Sequence, residues 1–194
     1  LAQLGVLELH TWGSKQDRLD RPDRMILDLD PAADVPWKEV VEAAFLMKAL
    51  LDELKLKSFV KTTGGKGLHV VVPLQRRHSW EEVKSFSKAL AEHMARTIPS
   101  RFTDNMSKRA RTGKVYVDFL RNGQGATAVA AYSTRAKPRA PISVPLTWDE
   151  CSPELRSDRF TLQNIEERLS QLTKDPWAEY AKVRQHLTAS MTRR

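Results

Sequence analysis

Two aspartates pose the chemical question. In the run Arg24-Met-Ile-Leu-Asp-Leu-Asp30, closed by Pro31, which has no N–H for a ladder, Asp28 and Asp30 fall on one face of a strand with Ile26. Met25, Leu27 and Leu29 take the other face. Two carboxylates on one face with no basic residue between them are costly to pack, because their charges repel and each loses water. Three readings stand: incidental acids on a solvent-facing strand, a protonated pair doing acid–base work, or a divalent metal site. Hard oxygen donors suit Mg2+ or Mn2+ rather than zinc. Two such ions can activate an attacking 3′-hydroxyl and stabilise a leaving pyrophosphate, which is the chemistry of nucleotidyl transfer. A third acid, Asp118 in Lys114-Val-Tyr-Val-Asp-Phe-Leu120, joins them if the fold brings its strand alongside.

Phosphate-binding chemistry stands nearby. Thr63-Gly-Gly-Lys-Gly-Leu-His69 is not a Walker A loop, which needs a longer spacer before Gly-Lys-Ser/Thr and must open a helix. Glycines with Lys66, flanked by a hydroxyl and an imidazole, can still present N–H groups and positive charge to a triphosphate; taken alone, an ordinary Gly-rich hairpin is the default. Arg111, Arg121 and Arg135 lie before, after and one hairpin beyond Asp118, and guanidinium groups suit phosphate oxygens. His78, His93 and His186 have no partner at metal-ligand spacing. Cys151 has no nucleophilic context.

The elements that must position these residues read as β-α-β-β-α-β. Strand 24–30 is followed by a helix opened by Pro36, with Val40, Ala44, Met47, Leu51 and Leu54 at helical spacing. Two strands, 58–63 and 68–74, flank Gly64 to Gly67 as a hairpin. Ser79 and Glu82 form a capping box for a second helix carrying Val83, Phe86, Leu90 and Met94 inward. The fourth strand is 114–120. This is the ferredoxin-like or RRM-like split βαβ arrangement, an α+β fold, in which the first strand lies between the third and fourth. That order sets Asp28 and Asp30 beside Asp118 and places His69 on the flanking strand. Further strands are expected at 126–135 and 141–146, and two closing helices at 162–172 and from Pro176 to about Ala189. Trp37, Trp80, Trp148 and Trp177 sit at element boundaries and read as packing residues.

The 194 residues carry 32 Lys+Arg against 24 Asp+Glu, a net charge of +8. Between 101 and 140 there are nine basic residues and only two acids, nearly the whole excess. Such density favours phosphate-rich partners, nucleic acid first. No apolar run reaches the ~18 residues of a membrane span, and the single cysteine suits a reducing cytosol. The start, without Met or a signal-peptide pattern, reads as that of an excised fragment.

Five ordered motifs, His10-Thr-Trp-Gly13, Ile26-Leu-Asp-Leu-Asp-Pro31, Thr63-Gly-Gly-Lys-Gly-Leu-His69, Val117-Asp-Phe-Leu-Arg-Asn122 and Tyr132-Ser-Thr-Arg135, closely resemble the primase-polymerase domain of bacterial DNA ligase D, of the archaeo-eukaryotic primase superfamily. The likeness extends through Pro141 to Trp148 and Asp175-Pro-Trp177. It implies a single catalytic domain over 1–194, with a palm core at about 24–122 and C-terminal strands and helices at about 126–190. It also implies template-dependent addition of nucleotides, with ribonucleotides favoured, to a primer 3′-hydroxyl during double-strand break repair by non-homologous end joining. Asp28, Asp30 and Asp118 would be catalytic and hold two Mn2+ or Mg2+ ions. Thr63, Lys66, His69 and Arg111 would hold the nucleoside triphosphate, Arg135 would assist, and His10 would lie by the sugar. Arg121 and Asn122 would reach phosphate or template, and Lys108 and Arg109 the DNA backbone. The implied partners are primer–template or gapped DNA and the ligase and end-binding proteins of end joining, with no membrane; the implied place is the bacterial cytoplasm, at the nucleoid when bound to DNA. Thr63 stands where that family commonly has Ser. Only nine residues precede His10, where the family has a longer segment that helps to bind a downstream 5′-phosphate, so a minimal catalytic core is expected. The alternatives are a non-catalytic RRM-like nucleic-acid-binding module, which would present exposed aromatics, and a metal-dependent nuclease or phosphatase.

Overall fold

A computed structural model describes residues 2–192. Strands β1 (His10–Trp12) and β2 (Arg24–Pro31) precede helix α1 (Trp37–Glu53), then β3 (Phe59–Thr62), β4 (Leu68–Pro73) and helix α2 (Trp80–Thr97). β5 (Phe102–Thr103), a short helix α3 (Lys108–Arg111), β6 (Val115–Asp118), β7 (Thr127–Val129), β8 (Pro145–Leu146), α4 (Ile165–Gln171) and α5 (Ala189–Thr192) follow. The main sheet runs β5-β6-β2-β4-β3-β8, so β2 lies between β4 and β6, as the split βαβ order requires.

The alternation of β2 decides which face each helix covers. Met25, Leu27 and Leu29 are fully buried in one core with Val40, Ala44, Met47 and Leu51 of α1 and Val83, Phe86 and Leu90 of α2. Burial of side chains of this size stabilises by roughly 2 kcal/mol each, so both helices are drawn to that face and the Asp28 face is left to the site. The predicted capping box is present: Glu82 N–H donates to Ser79 Oγ at 3.2 Å, and Ser79 N–H donates to Glu82 Oε2 at 2.7 Å. Helix α1 begins one residue after Pro36, and Lys55, at φ 60°, turns the chain away just beyond it.

A two-stranded ribbon, β1 against β7, pairs His10 with Val129. Ala128 of β7 packs on Ile26 and Val71 of the open sheet face, together with Trp177 and Tyr180. Each of the four boundary tryptophans donates its indole N–H to a backbone carbonyl, of Ser152, Leu19, Ser58 and Val60 respectively. They are packing residues with the polar edge satisfied.

Four expectations need correction, the strand expected at 141–146 being reduced to β8, Pro145–Leu146. The strand expected at 126–135 ends at Val129, because the chain turns at Ala131 and Tyr132, Tyr132 at φ 62°. The helix expected from Pro176 to Ala189 is replaced by a strap with only a 3-10 turn, Tyr180–Lys182, and α5 beyond it. Asp175 does cap locally, accepting from Trp177 N–H at 2.6 Å. However, Gln185 donates to the carbonyls of Lys57 and Pro73 and its own carbonyl accepts from Gln75 N–H. These long-range bonds hold the segment extended and outweigh helical propensity. The first closing helix is shorter than expected, at Ile165–Gln171. Among the described residues no helix is long and apolar enough to cross a membrane.

Candidate active site

Strand register builds a row of four polar side chains across the sheet. Asp118 on β6 is the direct partner of Asp28 on β2, Asp28 of His69 on β4, and His69 of Lys61 on β3. Opposed residues share a face, so two carboxylates, an imidazole and an ammonium stand side by side, and Asp30 projects two residues further along β2. His69 Nε2 lies 3.4 Å from Asp28 Oδ2. Lys61, buried, donates to Ser143 Oγ at 2.6 Å.

The carboxylates are already partnered by guanidinium groups. Arg121 Nε is 3.4 Å from Asp28 Oδ2 and 3.3 Å from Asp118 Oδ2. Arg111 Nη1 donates to Asp30 Oδ2 at 2.8 Å while its guanidinium lies 3.8 Å from the centre of the Tyr116 ring. Asp118 Oδ1 accepts from Leu120 N–H at 2.8 Å. Burial pushes Asp28 up, but His69, Arg121 and Lys61 together hold its carboxyl below the usual range. Asp30 and Asp118 are shifted the other way, by burial and then by the charge of Asp28. Burial and the nearby guanidinium groups lower Lys61 to about 7, and burial with Lys61 lowers His69.

Among the described residues no three His, Cys, Asp or Glu side chains form a ready metal-holding group. Arg121 lies between Asp28 and Asp118, and Arg111 pairs with Asp30. The donor set nonetheless fits a hard divalent cation. Three carboxylates share one face, and two of them, Asp30 and Asp118, are held above their ordinary pKa by burial and then by the charge of Asp28.

The Gly-rich turn is folded around Thr63. Its hydroxyl accepts from Gly65 and Gly67 N–H at 3.2 and 3.3 Å and lies 3.1 Å from the Gly67 carbonyl. Ser157, from far along the chain, accepts from Thr63 N–H at 3.2 Å and donates to the Gly67 carbonyl at 2.7 Å. A Cβ on Gly67 would collide with the Leu29 carbonyl, so only glycine lets the turn sit this close to β2. The Thr63 hydroxyl, expected at the triphosphate, is thus engaged inside the turn, a role that Ser could fill equally. Lys66 stands exposed at its tip.

A cleft of about 360 Å3 brings together His10, Asp28, Asp30, Thr63, Lys66, His69, Arg121 and Arg135, with Lys137. Asp118 and Arg111 stand behind this lining, through Arg121 and Asp30. Lys108 and Arg109 are exposed on α3, outside the cleft. Asn122 is corrected from a phosphate or template contact to a buried brace: its amide accepts from Ile26 N–H at 2.8 Å and donates to the carbonyls of Ile26 and Phe119 at 2.7 and 2.9 Å. Sequence reasoning missed Glu8, Lys61 and Ser157. Only Lys61, at period two from Thr63 on a strand otherwise apolar or hydroxylic, carried a local signal.

The family model described as LigD, primase-polymerase domain, matches residues 1–177. The chain is 48% identical over 192 residues to the multifunctional non-homologous end joining protein LigD of Pseudomonas aeruginosa, covering 98% of this chain and 23% of that protein. It is 31% identical over 150 residues to the bifunctional non-homologous end joining protein LigD of Bacillus subtilis, covering 77% and 24%. It therefore spans about a quarter of the length of these relatives. The solved polymerase domain of Mycobacterium tuberculosis ligase D in complex with DNA superposes with a TM-score of 0.80 at 29% identity, over 88% of this chain and 62% of that one.

Proposed function

The chain belongs to the LigD primase-polymerase family, and from that premise we propose that it adds nucleotides from nucleoside triphosphates to a DNA primer 3′-hydroxyl, directed by a template, in double-strand break repair by end joining. The fold is the primase-like palm that the motifs implied. The observation that carries the reading is the register of Asp28 on Asp118, with Asp30 on the same face, where Asp28 and Asp30 line a cleft shared with the glycine turn, Lys66, Arg135 and Lys137 and Asp118 stands just behind them.

Asp28, Asp30 and Asp118 would hold two Mn2+ or Mg2+ ions. When bound, such ions supply Lewis acidity at the attacking hydroxyl and the leaving pyrophosphate. The chain's own residues bind and orient. Lys66, Arg135 and Lys137 offer cationic donors to phosphate oxygens. His69 braces Asp28 from the side, and Arg121 and Arg111 offset part of the negative charge of the three carboxylates. His10, on β1 and in the cleft lining, would meet a ribose hydroxyl and favour ribonucleotides. The exposed Lys108 and Arg109 suit the DNA backbone. The ligase and end-binding proteins of end joining are the partners this reading implies.

The test is extension of a labelled primer–template by the purified chain with nucleoside triphosphates and Mn2+. Extension is expected for the wild type and is lost in Asp28→Ala and Asp118→Ala; extension that survives both refutes the assignment. Shortening of the DNA instead would point to a nuclease. The sheet face carries acids and an imidazole where an RRM-like binding module would present aromatics, so tight metal-independent binding without extension is not expected.

A further inference from the structure

Glu8 lies outside the cleft lining yet touches two residues inside it. Its Oε2 accepts from His10 Nε2 at 2.7 Å and lies 3.2 Å from Arg135 Nε. Its Oε1 accepts from Ala136 N–H at 2.7 Å. The same Arg135 donates through Nη1 to the Thr63 carbonyl at 2.7 Å, at the root of the glycine turn. One carboxylate thus ties the strand bearing His10 to the arginine that braces the turn.

We propose that Glu8 is a positioning residue that couples recognition of the sugar, at His10, to recognition of the phosphates, at Arg135 and the glycine turn, so that the incoming nucleotide is read as one unit. The inference rests on the nucleotide-binding role proposed above for this cleft.

The chemistry is directional. A carboxylate only accepts, so in the neutral ring of His10 the hydrogen sits on Nε2 and Nδ1 is left as an acceptor. An acceptor facing the sugar takes a hydrogen bond from a ribose 2′-hydroxyl and gains nothing from a deoxyribose at that position. A carboxylate behind a functional histidine sets its tautomer and ring orientation in this way. The anchoring is firm on both sides of Glu8: Thr134 Oγ1 donates to the Leu7 carbonyl before it, and Leu9 is held after it. Leu9 N–H donates to Ser133 Oγ at 2.8 Å, and Ala130 N–H donates to the Leu9 carbonyl at 2.8 Å, which straps this segment to the chain leading into Arg135. Hydrogen bonds from His10 and Ala136, and then Arg135, hold the Glu8 carboxyl at about 2, so it is ionised throughout the working pH range.

Primer extension by Glu8→Ala, Glu8→Gln and His10→Ala, with ribo- and deoxyribonucleoside triphosphates, reads the coupling as a split between KM and kcat. For Glu8→Ala, KM for the ribonucleotide should rise about tenfold and that for the deoxyribonucleotide by less, with kcat little changed. The ribo/deoxy ratio of the Glu8→Ala/His10→Ala double variant should equal that of His10→Ala, because both act through one ring. Glu8→Gln keeps an acceptor and should fall between. Unchanged KM values, or an equal rise for both sugars, in protein whose melting temperature matches wild type would overturn the proposal. Nitrogen NMR of His10 judges it without turnover: the Nε2–H tautomer should give way to a mixture in Glu8→Ala, and its persistence would also overturn it. A wild-type chain that neither binds nor adds nucleotides, with the tautomer shift intact, would locate the failure in the proposed function instead.

Discussion

Asp28 and Asp118, ninety residues apart, are direct register partners on β2 and β6, with Arg121 Nε at 3.4 and 3.3 Å from their Oδ2 atoms. One guanidinium thus compensates two buried carboxylates. Since the two are coupled, a change at either acid or at the arginine is felt by all three.

Asp118 is raised by burial and by the charge of Asp28. An acid whose folded pKa is raised contributes stability below its unfolded pKa and loses it as pH rises through the folded value, so at neutral pH its ionised form is a liability. Asp118→Asn should therefore be at least as stable as wild type at pH 7 by urea unfolding, while extension falls ~100-fold or more. A destabilised variant would mean that the ion pair with Arg121 outweighs the burial of the Asp118 charge.

Arg121 pairs with the same Asp28 and Asp118 oxygens that the proposed metal site would use. Its side chain is 43% exposed, so the pairing is screened and worth on the order of 1 kcal/mol. Arg121→Gln should tighten Mn2+ binding about fivefold in calorimetry without nucleotide. An unchanged or weaker affinity would show that the arginine and the ion do not share the same oxygens.

Lys61 is buried with its charge opposed by desolvation, and its pKa falls from 10.5 to about 7. Between those values the unfolded chain holds a proton that the folded chain has released, so stability rises with pH across that window. The slope approaches ~1.4 kcal/mol per pH unit for one such group. Urea unfolding of wild type and Lys61→Met from pH 7 to 9.5 should show the rise only in the wild type. Parallel curves would place the charge of Lys61 in a better solvated site.

Ser157 braces the glycine turn at both ends. Ser157→Ala leaves Thr63 N–H with the Gly67 carbonyl as its remaining partner and should cost about 0.5–1.5 kcal/mol of stability. Because the turn carries Lys66, KM for nucleoside triphosphates should rise more than kcat falls. Thr63→Ser should be close to neutral on both measures, since the hydroxyl that folds the turn is retained.

Much of the arrangement was legible in the chain itself. A period of two put Asp28 and Asp30 on one face and Leu27 and Leu29 on the other, and the βαββαβ order then required Asp118 and His69 to flank them. These are consequences of local periodicity and of a connection rule, and both act on neighbours in sequence or on whole elements. What only the tertiary structure decided is the partner of each polar group. The Thr63 hydroxyl turned inward because Ser157 arrives from 94 residues away, the strap after Pro176 stayed extended because Gln185 binds two distant carbonyls, and Glu8 found Arg135 across the ribbon. A polar side chain takes whichever donor or acceptor folding brings within about 3 Å, and no pattern along the chain encodes that distance.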